Sequence, residues 1–233
     1  MLGYNGIREE DAISVVYWQW SFLCRSLNIG KRRQMMEATK TALIFIEFQN
    51  DFCKEGGKLY SLVKDEIARN QTIVNAQRLL KGAREKGAHI IHCPFILDRE
   101  WTISKNFEGL IKGVCDGDVF APETWGSEII SELKPLEGEV ILKGKRSLNG
   151  FVHTNLADIL SGWQIQNIGI AGFLTNVCAL ATAWGAYDLG YRTRLIAEAC
   201  GAANQNIQEF VENEFCPIFG GNCSVDDFLA DLT

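Results

Sequence analysis

From Thr41 onward the chain alternates short apolar runs with longer segments of helical period. The runs ALIFIE (Ala42 to Glu47), HIIHCPF (His89 to Phe95), EVILKG (Glu139 to Gly144), NIGIAGF (Asn167 to Phe173) and RTRLIAE (Arg192 to Glu198) are apolar or β-branched and bounded by Gly, Pro or charge, the marks of strands. Between them, residues 61–87, 124–134, 154–163 and 176–190 carry helical spacing. The strands show little inside-outside alternation, so both their faces are covered. Repeated strand-helix-strand order then predicts an α/β fold with a central parallel β-sheet flanked by helices. Ligands of such sheets bind at the carboxyl ends of the strands.

Polar groups fall at those ends. Glu47 closes the first apolar run, Lys143 and Lys145 close the third, and after the fourth comes AGFLTNVCALAT, in which Thr175 or Asn176 can cap a helix with Cys178 in its first turn. Unpaired N–H groups at a helix start favour thiolate. A carboxylate, an ammonium and a thiol at one sheet edge make a proton acceptor, a cation and a nucleophile.

Residues 1–38 read as an amino-terminal extension and residues 39–233 as one domain. The apolar stretch Ile13 to Cys24 is about a dozen residues, short of the roughly 20 that span a bilayer. Its flank of Arg8, Glu9, Glu10 and Asp11 is acidic where a secretory signal is basic. It reads as a packing helix or a segment outside the fold, and no membrane partner is expected. The 233 residues carry a net charge of −6 and no basic cluster longer than Lys31 to Arg33, which argues against nucleic acid. Eight cysteines lie scattered without paired metal-ligand spacing, a usage that suits a reducing cytoplasm.

The motifs IEFQNDF, KGKRSLNGFVHTNL and GFLTNVC, with GAYDLGY after them, resemble those of the isochorismatase-like cysteine hydrolases. That superfamily includes nicotinamidase, N-carbamoylsarcosine amidase and ureidoacrylate amidohydrolase. The resemblance runs from Thr41 to the carboxyl terminus. It implies a three-layer Rossmann-like fold, a small-molecule substrate, a homo-oligomer, and hydrolysis of a C–N bond in an amide or ureido compound through a thioester. Cys178 matches the family nucleophile, and Glu47 stands where the family usually has aspartate. Motif spacing selects Lys145 as the lysine, with Lys143 the alternative. The backbone amides of Leu174 and Cys178 match the oxyanion hole, and the Phe173–Leu174 peptide bond is expected to be cis.

Two features depart from the pattern. Glutamate adds a methylene and moves the carboxylate by about 1.5 Å relative to its backbone. The nicotinamidase histidine cluster is missing: His89 and His92, three apart on a strand, point to opposite faces. No metal and no cofactor are expected. A papain-like pairing of Cys178 with His153 stays open, whereas the segment around Lys145 lacks the spacing of a phosphate-binding loop. The insert from Ile96 to Trp125 offers Trp101, Phe107, Phe120 and Trp125, which with Phe173 could line a substrate pocket, or could form a lid or subunit interface. A catalytically idle protein that binds a small molecule or a partner is the competing reading.

Overall fold

The computed structural model describes residues 35–233, so the stretch from Ile13 to Cys24 lies outside the described residues. Six parallel strands form one sheet: β1 (Thr41–Ile46), β2 (His89–Cys93), β3 (Val140–Ile141), β4 (Asn167–Phe173), β5 (Arg192–Gly201) and β6 (Asn222–Cys223), in the order β3-β2-β1-β4-β5-β6. The order reverses at β1 and β4, whose carboxyl ends therefore open a crevice.

The helices are α1 (Asn50–Cys53), α2 (Tyr60–Asn70), α3 (Thr72–Lys86), α4 (Arg99–Ser104), α5 (Gly109–Asp116), α6 (Leu156–Gly162), α7 (Leu180–Asp188), α8 (Gln205–Phe210), α9 (Cys216–Phe219) and α10 (Val225–Asp231). Every residue of β1 is buried. Leu43 and Phe45 pack with residues of α2, α3 and α10 on one face, while Ala42, Ile44 and Ile46 pack with α6, α7 and α9 on the other. The result is a three-layer α/β sandwich whose central strand is apolar on both sides. Filling each such position contributes roughly 1.5–3 kcal/mol relative to exposure.

Some elements differ from the sequence pattern. Residues 61–87 are two helices, broken where Gln71 takes φ 50° while the neighbouring Asn70 amide donates to the carbonyls of Ala197 and Cys200. Residues 124–134 are not one helix but two 3₁₀ turns, Trp125–Ser127 and Ser131–Leu133. Just before β1, Met36 and Ala38 are buried and hydrogen-bond with Asp231 and Thr233. Among the described residues no helix is long and apolar enough to cross a membrane.

Candidate active site

The end of β1 is shaped by its own motif. Glu47 takes φ 54°, a left-handed conformation uncommon outside glycine. Its N–H donates to the Cys93 carbonyl at 3.1 Å and its carbonyl accepts from the Gln49 amide at 2.8 Å, which turns the chain off the sheet. Gln49 fixes that turn: its amide group donates to the carbonyls of Phe95 and Ser127 and accepts from the Phe95 N–H, each at 2.8 Å. Asn50 donates to the Trp125 carbonyl at 2.7 Å, and Asp51 accepts from the amides of Phe120 and Lys58. The three polar residues after Phe48 thus fasten the 95–127 segment beside the strand end.

On the other side of β1, Gly172 takes φ 136° opposite Ile46. A Cβ there would sit 2.0 Å from the Ile46 carbonyl oxygen, so only glycine lets β4 pass. The Phe173–Leu174 bond is cis. A single π-helical turn, Thr175–Ala179, follows and presents Cys178 before α7 begins, a local widening frequent at functional sites. Leu174 accepts at its carbonyl from the amides of Val177 and Ala179. The Cys178 carbonyl accepts from the Thr182 hydroxyl at 2.7 Å, and that hydroxyl accepts from the Gly150 amide at 2.9 Å.

Lys145 completes the group. Its ammonium hydrogen-bonds the Glu47 carboxylate, donates to the Ser147 carbonyl at 2.9 Å, and lies 4.9 Å from the centre of the Phe95 ring. The Cys178 thiol lines the same cavity as Glu47 and feels its charge. Glu47, Lys145 and Cys178 are 2%, 1% and 5% exposed, so the three groups share a site largely shielded from water. Lys143, by contrast, is exposed. His153 is exposed too and sets its ring edge-on to Trp101 at 5.2 Å, so the thiol's partner is Glu47 rather than an imidazole.

Electrostatics revise one expectation. Burial pushes the Cys178 thiol well above its ordinary pKa, the Glu47 charge adds to this, and Lys145 opposes it. Desolvation thus works against the favour that the helix start gives to thiolate. Burial would lower the Lys145 pKa, but the charges of Glu47, Cys178 and Cys93 hold it above its usual value.

A closed cavity of about 40 Å³ adjoins Glu47, Leu174 and Cys178. Phe52, Phe95, Ile111, Val114, Phe120 and Val177 wall it, and Leu62 and Leu110 also face it. Of the aromatics nominated for a pocket, Phe120 lines this cavity and Trp101, Phe107, Trp125 and Phe173 do not. Phe173 lies in the core between Phe48 and Phe52, Trp101 packs on Phe107, and Trp125 is 50% exposed. The lining residues are mostly aliphatic side chains of helices, which periodicity alone cannot distinguish from core. His92 contacts Glu139 at 3.1 Å and His89 stacks on Trp163, on opposite faces of the sheet. Among the described residues no three His, Cys, Asp or Glu side chains are placed to hold one metal ion.

The chain belongs to the isochorismatase domain family, whose model matches residues 41–227. A ureidoacrylate amidohydrolase of Rhizobium rhizogenes is 26% identical over 211 residues, covering 85% of this chain and 85% of that protein. A cysteine hydrolase from Pseudomonas syringae pv. phaseolicola superposes with a TM-score of 0.74 at 21% identity, over 84% of this chain and 93% of that one. An N-carbamoylsarcosine amidase from Thermoplasma acidophilum gives 0.64 at 22% identity, over 80% of this chain and 97% of that one. At these identities the two structures speak for the shared fold.

Proposed function

We propose that this protein is a cysteine hydrolase that cleaves a C–N bond of a small amide or related compound, with Cys178 as nucleophile, Glu47 as proton shuttle and Lys145 as the balancing cation. The observation that carries this reading is the buried carboxylate of Glu47, paired with the Lys145 ammonium and lining one cavity with the Cys178 thiol. The family match and the relatives named as amidohydrolase and amidase support it.

Burial disfavours a free thiolate, and Glu47 takes the thiol proton as sulfur attacks. Sulfur bonds the carbonyl carbon, and the oxyanion is held by the amides of Leu174 and Cys178. Glu47 returns the proton to nitrogen, the C–N bond breaks, and ammonia or an amine leaves a thioester. Water, deprotonated by the same carboxylate, then forms the C–O bond as the C–S bond breaks, regenerating the thiol and releasing an acid. Lys145 keeps its proton throughout and offsets the negative charge that moves between sulfur and carboxylate.

The reading is tested by ammonia release from a panel of carboxamides and ureido compounds, with acid quench and intact-mass analysis. An acyl adduct on Cys178 is expected, and Cys178→Ser is expected to lose both adduct and turnover while its circular dichroism is unchanged. Turnover by Cys178→Ser at the parent rate sinks the mechanism. An idle binder would give neither ammonia nor adduct.

A further inference from the structure

The walls of the cavity beside Cys178 carry more information than the catalytic group itself. Apart from Glu47 and Cys178, each of its lining residues is apolar. Glu47 already carries the negative charge that the chemistry needs. The nearest cation, Lys145, is committed to the Glu47 carboxylate and the Ser147 carbonyl. Lys143, Arg99 and Arg146 line a different cavity, Lys58 donates to the carbonyls of Gly117 and Asp118, and Lys112 pairs with Asp116. The two arginines are neutralised in that other cavity, Arg146 by Asp98 at 2.6 Å and Arg99 by Asp118.

We propose that the acyl group of the substrate is small, uncharged and apolar, and that carboxylate-bearing amides and ureido acids are excluded. This rests on the amide-hydrolase reading above and narrows it. A carboxylate in this cavity would lie unpaired beside Glu47, giving up its hydration for hydrocarbon walls. A branched alkyl group gains in the same place by leaving water. The mouth agrees with the walls: Leu62 on α2 and Leu110 on α5 line the cavity and are nevertheless 44% and 48% exposed, so the approach is apolar too. Size sets the upper end, since about 40 Å³ of free space is little more than one water molecule's share of the liquid, so only a short chain reaching out between the exposed Leu62 and Leu110 is accommodated. This chain therefore departs from the relatives named for ureidoacrylate, a carboxylate compound.

The test uses pairs of nearly equal shape that differ in charge. Ammonia release by the full chain is compared for isovaleramide and malonamate, in which a carboxylate replaces the isopropyl group. The expected ratio of kcat/KM is at least about a hundredfold in favour of isovaleramide, the scale of leaving one buried charge unpaired. Equal rates, or preference for malonamate, overturn the proposal while leaving the hydrolase reading intact. Leu110→Arg, a change at a partly exposed position, supplies the missing cation and is expected to narrow the ratio at least about tenfold; an unmoved ratio removes this cavity as the acyl site. The corresponding aldehydes keep the question answerable if neither amide turns over, because a thiol adds to an aldehyde carbonyl without any leaving nitrogen. Isovaleraldehyde is expected to protect Cys178 from iodoacetamide at a concentration at least about a hundredfold below that of freshly prepared malonate semialdehyde. That result with no hydrolysis of any amide upholds the pocket and defeats the hydrolase reading; equal protection by the anion, or protection by neither, overturns the pocket.

Discussion

Two cavities lie on either side of the Glu47–Lys145 pair, with Lys145 lining one and Glu47 the other. The first is open and about 760 Å³, and its walls include Asp98, Arg99, Glu100, Asp118, Lys143 and Arg146. The second is about 40 Å³ and walled by hydrocarbon. Space and charge favour the first as a binding site, yet the thiol is in the second. The reason is the medium. Two unit charges 4 Å apart interact by about 1 kcal/mol in water and about 4 kcal/mol at an effective dielectric near 20. Charges in the open cavity are offset by one another and by solvent, whereas the buried Glu47–Lys145 pair between the two cavities is screened far less. On the proposed reading, chemistry follows dryness at the strand ends rather than room.

The contrast is broken most severely by neutralising the carboxylate. Glu47→Gln keeps size and polarity but cannot accept the thiol proton, so acylation is expected to fall by at least about 10⁴-fold, as for loss of a group that acts as a unit with its nucleophile. Substrate binding, followed by protection from iodoacetamide, should persist. Glu47→Asp withdraws the carboxylate by one methylene from a site built for the longer chain, and a loss of about 10–100-fold in kcat is expected. A Gln variant that turns over at the parent rate would make the charge at the end of β1 irrelevant to catalysis.

Lys145→Met comes next. It keeps an unbranched stem beside Phe95 but leaves Glu47 buried without its cation, a loss on the order of 3–5 kcal/mol in stability. The rate is expected to drop by about 10³-fold, because the carboxylate then favours its protonated form and no longer accepts from sulfur. Urea midpoints and kcat measured together check this. A variant as stable and active as the parent would show the pair to be ornamental.

Much of this was readable in the chain. β1, β2, β4 and β5 are long apolar runs, and burial of both faces made them visible; the polar residues that end such runs were the natural place to look for the site. What escaped the sequence is held by long-range contacts. Residues 124–134 have helical period, but side chains of Gln49 and Asn50 capture the carbonyls of Ser127 and Trp125, bonds that no local pattern announces. β6 spans only Asn222 and Cys223, too short and polar to stand out. The aromatic residues drew attention as a pocket, yet Trp101, Phe107 and His153 pack on each other, while the cavity wall comes from Ile111, Val114 and similar residues that any core would contain.

A third test uses alkali, which acts on the dry side alone. Burial raises Cys93, next to the Glu47–Lys145 pair, from 9.0 to about 12, with Lys145 lowering it and Glu47 raising it. Between those values the unfolded chain releases the thiol proton and the folded chain keeps it. Stability is therefore full below about pH 9 and falls as pH rises, by up to about 1.4 kcal/mol per pH unit from this thiol. Cys216 and Cys223 are likewise pushed up to about 12 and steepen the loss. Urea midpoints at pH 8, 9 and 10 are expected to decline, and Cys93→Ala to lower the midpoint at pH 8 but decline less steeply. A flat profile would mean that the thiols are not desolvated as the packing requires.

The smallest effect is the sharpest test of where the boundary between the cavities runs. Lys143 and Lys145 are two residues apart beyond β3, with the same charge and the same reach. Their surroundings differ: Lys143 is exposed and lines the open cavity, while the Lys145 ammonium reaches through to Glu47. An exposed ammonium is screened, and its influence on a buried group falls off within a Debye length of about 8 Å at physiological salt. Lys143→Ala is therefore expected to change kcat/KM by less than about threefold, and raising the salt concentration should erase even that difference. Activity that collapses in Lys143→Ala and survives in Lys145→Met would place the working cation two residues earlier, and the open cavity, with its paired charges, would become the place to look for the substrate.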